Sequence, residues 1–372
     1  MNLQQRINAF DALGTFLSQF SRKEIAQKKN IPHNDLFFDG FRHQMKLAGE
    51  HNNWFTEENI LYAIEGWSQS LTEAKLNKWL KGYATLTTLS TNFAKADSDA
   101  AEKADSQKTV AVIMAGNIPL VGFHDFLSVL ITGHNFVGKQ SSNDKHLLPF
   151  LAKYLEYVEP AFKGRIAFTE EKLPEHDAVI ATGSDNTARY FEYYFGKKPN
   201  IIRKNRNSVA VLTGKETQEE LEALGEDVFR YFGLGCRNVS KLYVPEDYDF
   251  DAFFKAMYPW HTMMDKAKYA NNYDYNKAVY LMSLFDLLEN GFLMLKEDES
   301  YGSPIATLFY EKYSAPEALA EKLSADNEKI QCVVSSHFRE SDITTIPFGK
   351  TQQPELHDYA DGVDTIEFLT TI

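Results

Sequence analysis

The 372-residue sequence has only two cysteines, Cys236 and Cys332, which excludes a disulfide framework and a thiolate metal cage. Its histidines show no His-x-x-x-His or Glu-paired spacing, so no metal is expected. No apolar run approaches the length of a membrane span. Met1-Asn2-Leu3-Gln4-Gln5-Arg6 lacks a secretory apolar stretch; with so few cysteines, a cytoplasmic setting is expected. No Gly-x-Gly-x-x-Gly follows a strand pattern, which argues against an ordinary Rossmann glycine loop, and there is no Gly-x-Ser-x-Gly elbow. Positive charge is scarce: the net charge of -13 disfavours general nucleic-acid binding. It still leaves room for a local basic site for a phosphorylated cofactor. Internal repeats and low-complexity tracts are absent too.

What is present reads as a well-packed α/β protein. Aromatic residues make up 13%, which argues against disorder. Residues 2–90 carry helical periodicity, first through Ile7, Phe10, Leu13, Phe16, Leu17 and Phe20. Further amphipathic segments run over Asn34–Ala48, Thr56–Ser68 and Leu71–Leu80, with Asn30 or Asn34, Thr56 and Thr72 as N-cap candidates. Residues 96–108 are polar and read as an exposed connection. From Thr109 the pattern alternates. Strands are expected at Thr109–Met114, Asn135–Gly138, Arg165–Phe168, Ala178–Ala181, Ile201–Arg203 and Ser208–Leu212. Helices are expected over Leu120–Ile131, Leu147–Val158 and Ala188–Phe195. This alternation implies βαβ units and a parallel sheet. Beyond a helix over Gln218–Tyr231 and a strand over Val239–Val244, a second α/β unit is expected. Its helices fall at Phe250–Met257 and Asn276–Glu289, and its strands at Phe292–Leu295, Ile305–Tyr310 and Ile330–Val334. The tail, Pro354–Ile372, reads as a turn and a short helix.

Cys236 is the most informative residue. Gly233 and Gly235 leave its backbone open to close approach, and Arg237 supplies positive charge that favours a thiolate. A nucleophile and a buried small hydrophobe are both compatible with these neighbours. Cys332, in an apolar strand pattern, reads as structural. Met114-Ala115-Gly116-Asn117-Ile118-Pro119 ends a buried strand. Asn117 there either donates to a developing oxyanion or caps a helix opening at Pro119. Lys139 with Ser141 and Ser142 suits ribose and phosphate oxygens, and is equally readable as a solvated strand end. Gly183 permits close approach to a helix start at which Ser184 or Asp185 is also a plain N-cap. The basic run Lys197, Lys198, Arg203, Lys204 and Arg206 is either a seat for a coenzyme A ester or a solvated face. Met257, Trp260, Met263 and Met264 fit an acyl tunnel or a core.

The order and spacing of these stretches carry more than any one of them. Ala-Gly-Asn-Ile-Pro-Leu, then Gly-Lys-x-Ser-Ser, Thr-Gly-Ser and Gly-x-Gly-Cys resemble the aldehyde dehydrogenase superfamily. Two stretches look closer still to acyl-CoA reductases of the bacterial luminescence (LuxC-like) type. They are Phe232–Ser240 and the tail, with Phe348-Gly349-Lys350-Thr351-Gln352 and Asp358–Thr365. The resemblance runs from about residue 105 to the end. It implies an aldehyde-dehydrogenase-like α/β fold. The expected parts are a helical region over 1–95 packed on the cofactor domain, a Rossmann-like cofactor domain over 105–206, a catalytic domain over 207–345 and a tail over 346–372. It implies Cys236 as acyl-accepting nucleophile and Asn117 with the Cys236 backbone N–H as oxyanion hole. Lys139 and Ser142 are implied at the adenosine ribose, with Ala115, Gly116, Gly183, Ser184, Thr187 and Phe348 along the cofactor. Superfamily members that prefer NAD often carry Glu where this chain has Ser142, so NADPH is expected over NADH.

The superfamily's water-activating Glu lies upstream of the cysteine. The corresponding stretch here, Ile202–Asn207, holds no carboxylate. A thioester at Cys236 is then shielded from hydrolysis and exchanges with a thiol. Asp185 is a substitute acid/base candidate, and Arg203, Lys204 and Arg206 are substrate-phosphate candidates. The expected activity is NADPH-dependent reduction of an acyl-CoA, with coenzyme A as leaving group, in a homo-oligomer. An acyl-transferring protein partner is an alternative donor. The rival readings are an aldehyde dehydrogenase working oxidatively and a non-catalytic acyl- or nucleotide-binding subunit.

Overall fold

The computed structural model describes residues 1–83, 86, 107–340 and 343–372, without the side chain of Asp185. The expected connection over 96–108 therefore lies outside the described residues up to position 106. Two compact units form: Met1–Lys204 with Glu355–Ile372, and Asn205–Pro354.

The first unit opens with helices α1 (Leu3–Leu17), α2 (Asn34–His51), α3 (Glu57–Ser70) and α4 (Glu73–Leu80). Asn2 and Gln5 form a capping box on α1. Thr56 and Thr72 accept the Asn59 and Lys75 amides to start α3 and α4. Helix α2 departs from expectation. It follows His33 in the left-handed region (φ 55°), and neither Asn30 nor Asn34 caps it. Asn34 is instead buried inside the helix, its amide bonded to Gln19 and to the Lys28 carbonyl. Strands β1 (Thr109–Ile113), β2 (Asn135–Lys139), β3 (Ile166–Thr169), β4 (Ala178–Thr182) and β5 (Asn200–Arg203) alternate with α5 (Phe123–Thr132), α6 (Leu147–Val158) and α7 (Asp185–Phe195). The sheet is parallel throughout, in the order β3-β2-β1-β4-β5. The order reverses between β1 and β4, the place where open α/β sheets bind ligands. One aromatic core joins the N-terminal helices to this sheet. Phe16 stacks on Tyr154 of α6 at 4.2 Å, and Phe10 meets Phe126 of α5 edge-on. Each such buried ring stabilises the unit by about 1.5–3 kcal/mol.

Sequence periodicity misplaces one helix start here. Helix α5 begins at Phe123, not at Pro119. Leu120 takes a left-handed φ of 58°, and its N–H donates to Asp144 Oδ2 at 3.2 Å. A tertiary acceptor outcompetes the helix at this turn.

The second unit holds β6 (Asn207–Val211), α8 (Gln218–Phe229), β7 (Val239–Pro245), α9 (Phe250–Met257), α10 (Ala267–Met282), β8 (Leu287–Glu289), β9 (Met294–Glu297), β10 (Thr307–Tyr313), α11 (Pro316–Ala325), β11 (Ile330–Val334) and β12 (Thr345–Ile346). Its sheet order is β12-β11-β6-β7-β10-β9-β8, antiparallel only between β8 and β9. The ladders shift register near Ser208 and between Ile330 and Val333. The helix expected over Asn276–Glu289 is instead the end of α10 followed by β8. Leu284, at φ 57°, breaks the chain between them.

From Glu355 onward the tail belongs to the first unit and ends in α12 (Thr365–Thr371), whereas its earlier residues, through Pro354, belong to the second. His124 Nε2 donates to the Leu356 carbonyl and His134 Nε2 to that of Leu369. Burial holds both imidazoles below their ordinary pKa, so neutral rings serve as fasteners. Tyr359 accepts from Trp79 Nε1 at 2.8 Å, and Tyr83 donates to Asp364 at 2.6 Å. Tyr359 and Asp364 of the tail signature thus serve to anchor it. Among the described residues, no helix is long and apolar enough to cross a membrane.

Candidate active site

In the first unit, the parallel ladder pairs Ile113 with both Lys139 and Ala181, and Thr182 with Arg203. The segments after β1, β2 and β4 therefore leave the sheet along one carboxyl edge. Ala115, Gly116 and Asn117 follow β1 and are half-buried. A Cβ on Gly116 would lie 2.4 Å from Ser141 Oγ, so this glycine lets the β1 and β2 loops touch. Asn117 is not a helix cap, since α5 begins six residues later. Lys139 ends β2 half-buried, and Ser142 is exposed, its carbonyl 2.5 Å from His51 Nε2. Asp144 ties the two loops together through Leu120. Burial pushes its carboxyl up to about 7, and the Leu120 N–H opposes that shift. After β4, Ser184 caps α7: its Oγ accepts the Thr187 N–H at 3.4 Å and lies 2.9 Å from Thr187 Oγ1. A Cβ on Gly183 would come within 3.0 Å of Thr187 and Phe191. The side chain of Asp185 lies outside the described residues.

In the second unit, Cys236 is exposed, whereas Cys332 is buried in β11. Exposure removes the reading of Cys236 as a buried small hydrophobe. The chain approaches it through three consecutive left-handed residues, Tyr231 (φ 55°), Phe232 (φ 60°) and Gly233 (φ 74°). For the two non-glycines that conformation costs on the order of 1–3 kcal/mol each and persists only where surrounding contacts over-determine it. The contacts are present. Buried Asn238 accepts the Gly235 N–H at 2.8 Å and donates to the carbonyls of Asp227 (3.0 Å) and Arg230 (2.9 Å). Ser208 Oγ donates to the Cys236 carbonyl at 2.9 Å. Arg237 Nε donates to the Thr351 carbonyl at 2.6 Å. Asp227, with no exposed surface, accepts from Gly349 N (2.6 Å), Thr351 N (2.9 Å) and Thr351 Oγ1 (2.8 Å). Burial pushes its carboxyl up to about 6, against the pull of those three donors. Gly349, at φ 77°, makes the turn that presents these donors.

The family model of the LuxC acyl-CoA reductases matches residues 51–257, more than half of the chain. This chain belongs to the LuxC acyl-CoA reductase family. The LuxC match starts within the helical region, earlier than the resemblance near residue 105, and ends before the tail. It encloses Asn117, Lys139, Ser142, Gly183, Ser184 and Cys236. No curated protein matches the sequence. Solved structures do match in fold. Aldehyde dehydrogenase 21 from Physcomitrella patens aligns with a TM-score of 0.64 at 12% identity, over 100% of this chain and 84% of that one. A putative methylmalonate-semialdehyde dehydrogenase from Sinorhizobium meliloti 1021 gives 0.56 at 12% identity, over 92% and 74%. An aldehyde dehydrogenase from Bacillus cereus, solved with NAD+, gives 0.54 at 14% identity, over 87% and 69%. The LuxC-family chain therefore has the aldehyde dehydrogenase fold, and it is an oxidoreductase acting on acyl or aldehyde groups.

Several expectations about this LuxC-family site need correction. Arg203 is no seat for a substrate phosphate. It is buried, with its guanidinium bidentate on Asp125 (2.6 and 2.8 Å) and in contact with Thr365 Oγ1 at 3.2 Å. Lys204 pairs on the surface with Glu192 at 3.1 Å, and Arg206 reaches the Asn327 carbonyl at 3.3 Å. Arg203, Lys204 and Arg206 are thus divided among separate structural partners. Phe348 is buried. Of the stripe read as an acyl tunnel or a core, Met257 and Met263 are buried, which favours the core, and Trp260 stacks on Phe229 of α8 beside Arg230. Sequence reasoning missed Asp227 altogether. Its bonding partners in the tail lie more than a hundred residues away, and no local motif marks it.

Proposed function

We propose that this protein reduces an acyl-CoA thioester to an aldehyde with NADPH, through an acyl thioester on Cys236. The carrying observation is an exposed Cys236 in a strained, heavily bonded loop beside Arg237, inside the stretch matched by the acyl-CoA reductase family. The Cys236 thiolate attacks the thioester carbonyl, forming a new carbon–sulfur bond. Asn117 donates to the resulting oxyanion, and the bond to coenzyme A breaks with its thiolate leaving. After hydride addition to the carbonyl carbon, collapse releases the aldehyde and restores the Cys236 thiolate.

The first unit fits a nicotinamide dinucleotide. Its strand order reverses at β1/β4, and Gly183 and the Ala115–Gly116 segment leave the sheet on the edge where such ligands bind. The bound cofactor supplies the hydride. Lys139 and Ser142 hold its adenosine ribose, while Ala115, Gly116, Gly183, Ser184 and Thr187 line its path. Ser142 presents no carboxylate to repel a 2′-phosphate, which supports NADPH over NADH. No carboxylate lies within Ile202–Asn207, so water is not activated against the acyl-enzyme.

The test is NADPH oxidation by purified protein with acyl-CoAs from short to long, with Cys236→Ala as control. Cysteine-dependent oxidation with aldehyde and free coenzyme A released in equal amounts supports the reading. Turnover that persists in Cys236→Ala rejects it.

A further inference from the structure

The Cys236 loop is wired to a buried carboxylate that does not touch it. We propose that Asp227 is a positioning residue for Cys236, acting through Thr351 and Arg237. This inference rests on Cys236 being the nucleophile.

Two routes converge on the cysteine. In the first, the Asp227 carboxylate gathers Gly349 N, Thr351 N and Thr351 Oγ1. That fixes the Thr351 carbonyl, which receives Arg237 Nε at 2.6 Å. In the second, the Asp227 carbonyl receives Asn238 Nδ2, and Asn238 Oδ1 in turn receives the Gly235 N–H. The residues on either side of Cys236 are therefore both referred back to one position on α8. Without these bonds, nothing in the left-handed run Tyr231-Phe232-Gly233 favours the loop's present course.

A buried carboxylate with raised pKa is an expensive way to hold a turn if the turn matters only for stability. A hydrophobic filler would pack there at lower cost. A carboxylate, unlike a filler, accepts three donors at once and leaves the Thr351 carbonyl aimed at Arg237. Gly349 and Thr351 reach the Asp227 side chain from well beyond residue 257, where the family match ends. These residues complete the thiol loop from a distance.

Asp227→Asn and Thr351→Val are the informative changes. The first keeps shape but sets an amide donor against the Gly349 N–H. The second keeps shape and removes one donor. Thr351→Ser restores that donor. Three readouts are taken on folded protein: the rate of coenzyme A release in a single turnover, NADPH affinity by fluorescence, and iodoacetamide labelling at Cys236 located by mass spectrometry. Buried Cys332 is the internal reference. We expect acylation to fall ~10- to 100-fold in Asp227→Asn and ~5-fold in Thr351→Val, because small misplacements of a reacting group cost rates of that size. Thr351→Ser is expected to return the rate to near wild type, and NADPH affinity to be unchanged in all three. Unchanged acylation and labelling in Asp227→Asn and Thr351→Val overturn the proposal. So does a parallel loss of NADPH affinity, or a Thr351→Ser variant as slow as Thr351→Val. If Cys236→Ala turns over normally, the proposed function fails by itself. The labelling rate at Cys236 in Asp227→Asn then still decides whether Asp227 positions the thiol.

Discussion

The two sheets of this protein place their chemistry by opposite rules. In the first unit the candidate cofactor residues gather at the carboxyl ends of β1, β2 and β4, around the reversal in the order β3-β2-β1-β4-β5. Regular register between β1, β2 and β4 is enough to bring Gly116, Lys139 and Gly183 to one edge. In the second unit Cys236 precedes a strand, at the amino end of β7, beside a register shift near Ser208. No sheet rule puts a nucleophile there. Side chains do: Asn238, Ser208, Arg237 and Asp227 hold a backbone that would otherwise relax. Topology makes the proposed cofactor cradle in one half, and in the other a bonded network presents the proposed nucleophile.

Substitutions can break or sharpen that contrast, and the largest effect is expected at the reactive group. Cys236→Ala should abolish acyl-CoA reduction and leave NADPH binding intact, read by cofactor oxidation and fluorescence titration. The next largest lies in the first unit's scaffold. Asp125→Ala leaves the Arg203 guanidinium buried without its carboxylate and should cost about 3–5 kcal/mol, measured by urea unfolding; a loss under 1 kcal/mol would mean the pair is replaceable. Asn117→Ala should lower kcat ~100- to 1,000-fold, the usual cost of one oxyanion donor, and should spare cofactor affinity. Asp144→Asn should be stabilising in a pH-dependent way. The folded carboxyl titrates near 7, above its unfolded value of 3.8. Its contribution to stability is therefore complete below about pH 4 and lost as pH rises through 7. The amide keeps an acceptor for Leu120 and avoids that loss, so unfolding should show a gain of about 4 kcal/mol at pH 8 and almost none at pH 4. The smallest effect is on selectivity. Ser142→Glu should move the NADPH-to-NADH preference ~10-fold toward NADH through repulsion of the 2′-phosphate, checked by kcat/KM with each cofactor.

Much of the fold was legible because its periodicity is unbroken. Leu147–Val158, Phe250–Met257 and Ile330–Val334 form as their apolar spacing predicts. The misreadings have local causes. Leu120 leaves the helical region because Asp144, remote in sequence, accepts its N–H. Val279, Met282, Leu284 and Leu288 imitate the buried stripe of a longer helix, yet all are exposed and the helix stops at Met282. Helix α11 went unread although Pro316 at its first turn was a usable sign. At the site, glycines and hydroxyls after strands were readable as a pattern. Arg203 was not, because a basic residue among other basic residues gives no hint that it will be buried against Asp125. Asp227 could not have been found from spacing, since its carboxylate is satisfied only by tail residues.

The return of residues 355–372 to the first unit bears on how the protein is made. His124, His134, Trp79 and Tyr83 all belong to early-synthesised parts, and each waits for a partner from the tail. The second unit, Asn205–Pro354, lies between them in the chain. At a translation speed of ~5–20 residues per second, those partners follow only after ~10–60 s. Through that interval the ribosome carries a first unit whose buried imidazoles lack their carbonyls, while the cysteine-bearing unit is still emerging. The half made first is therefore the half completed last.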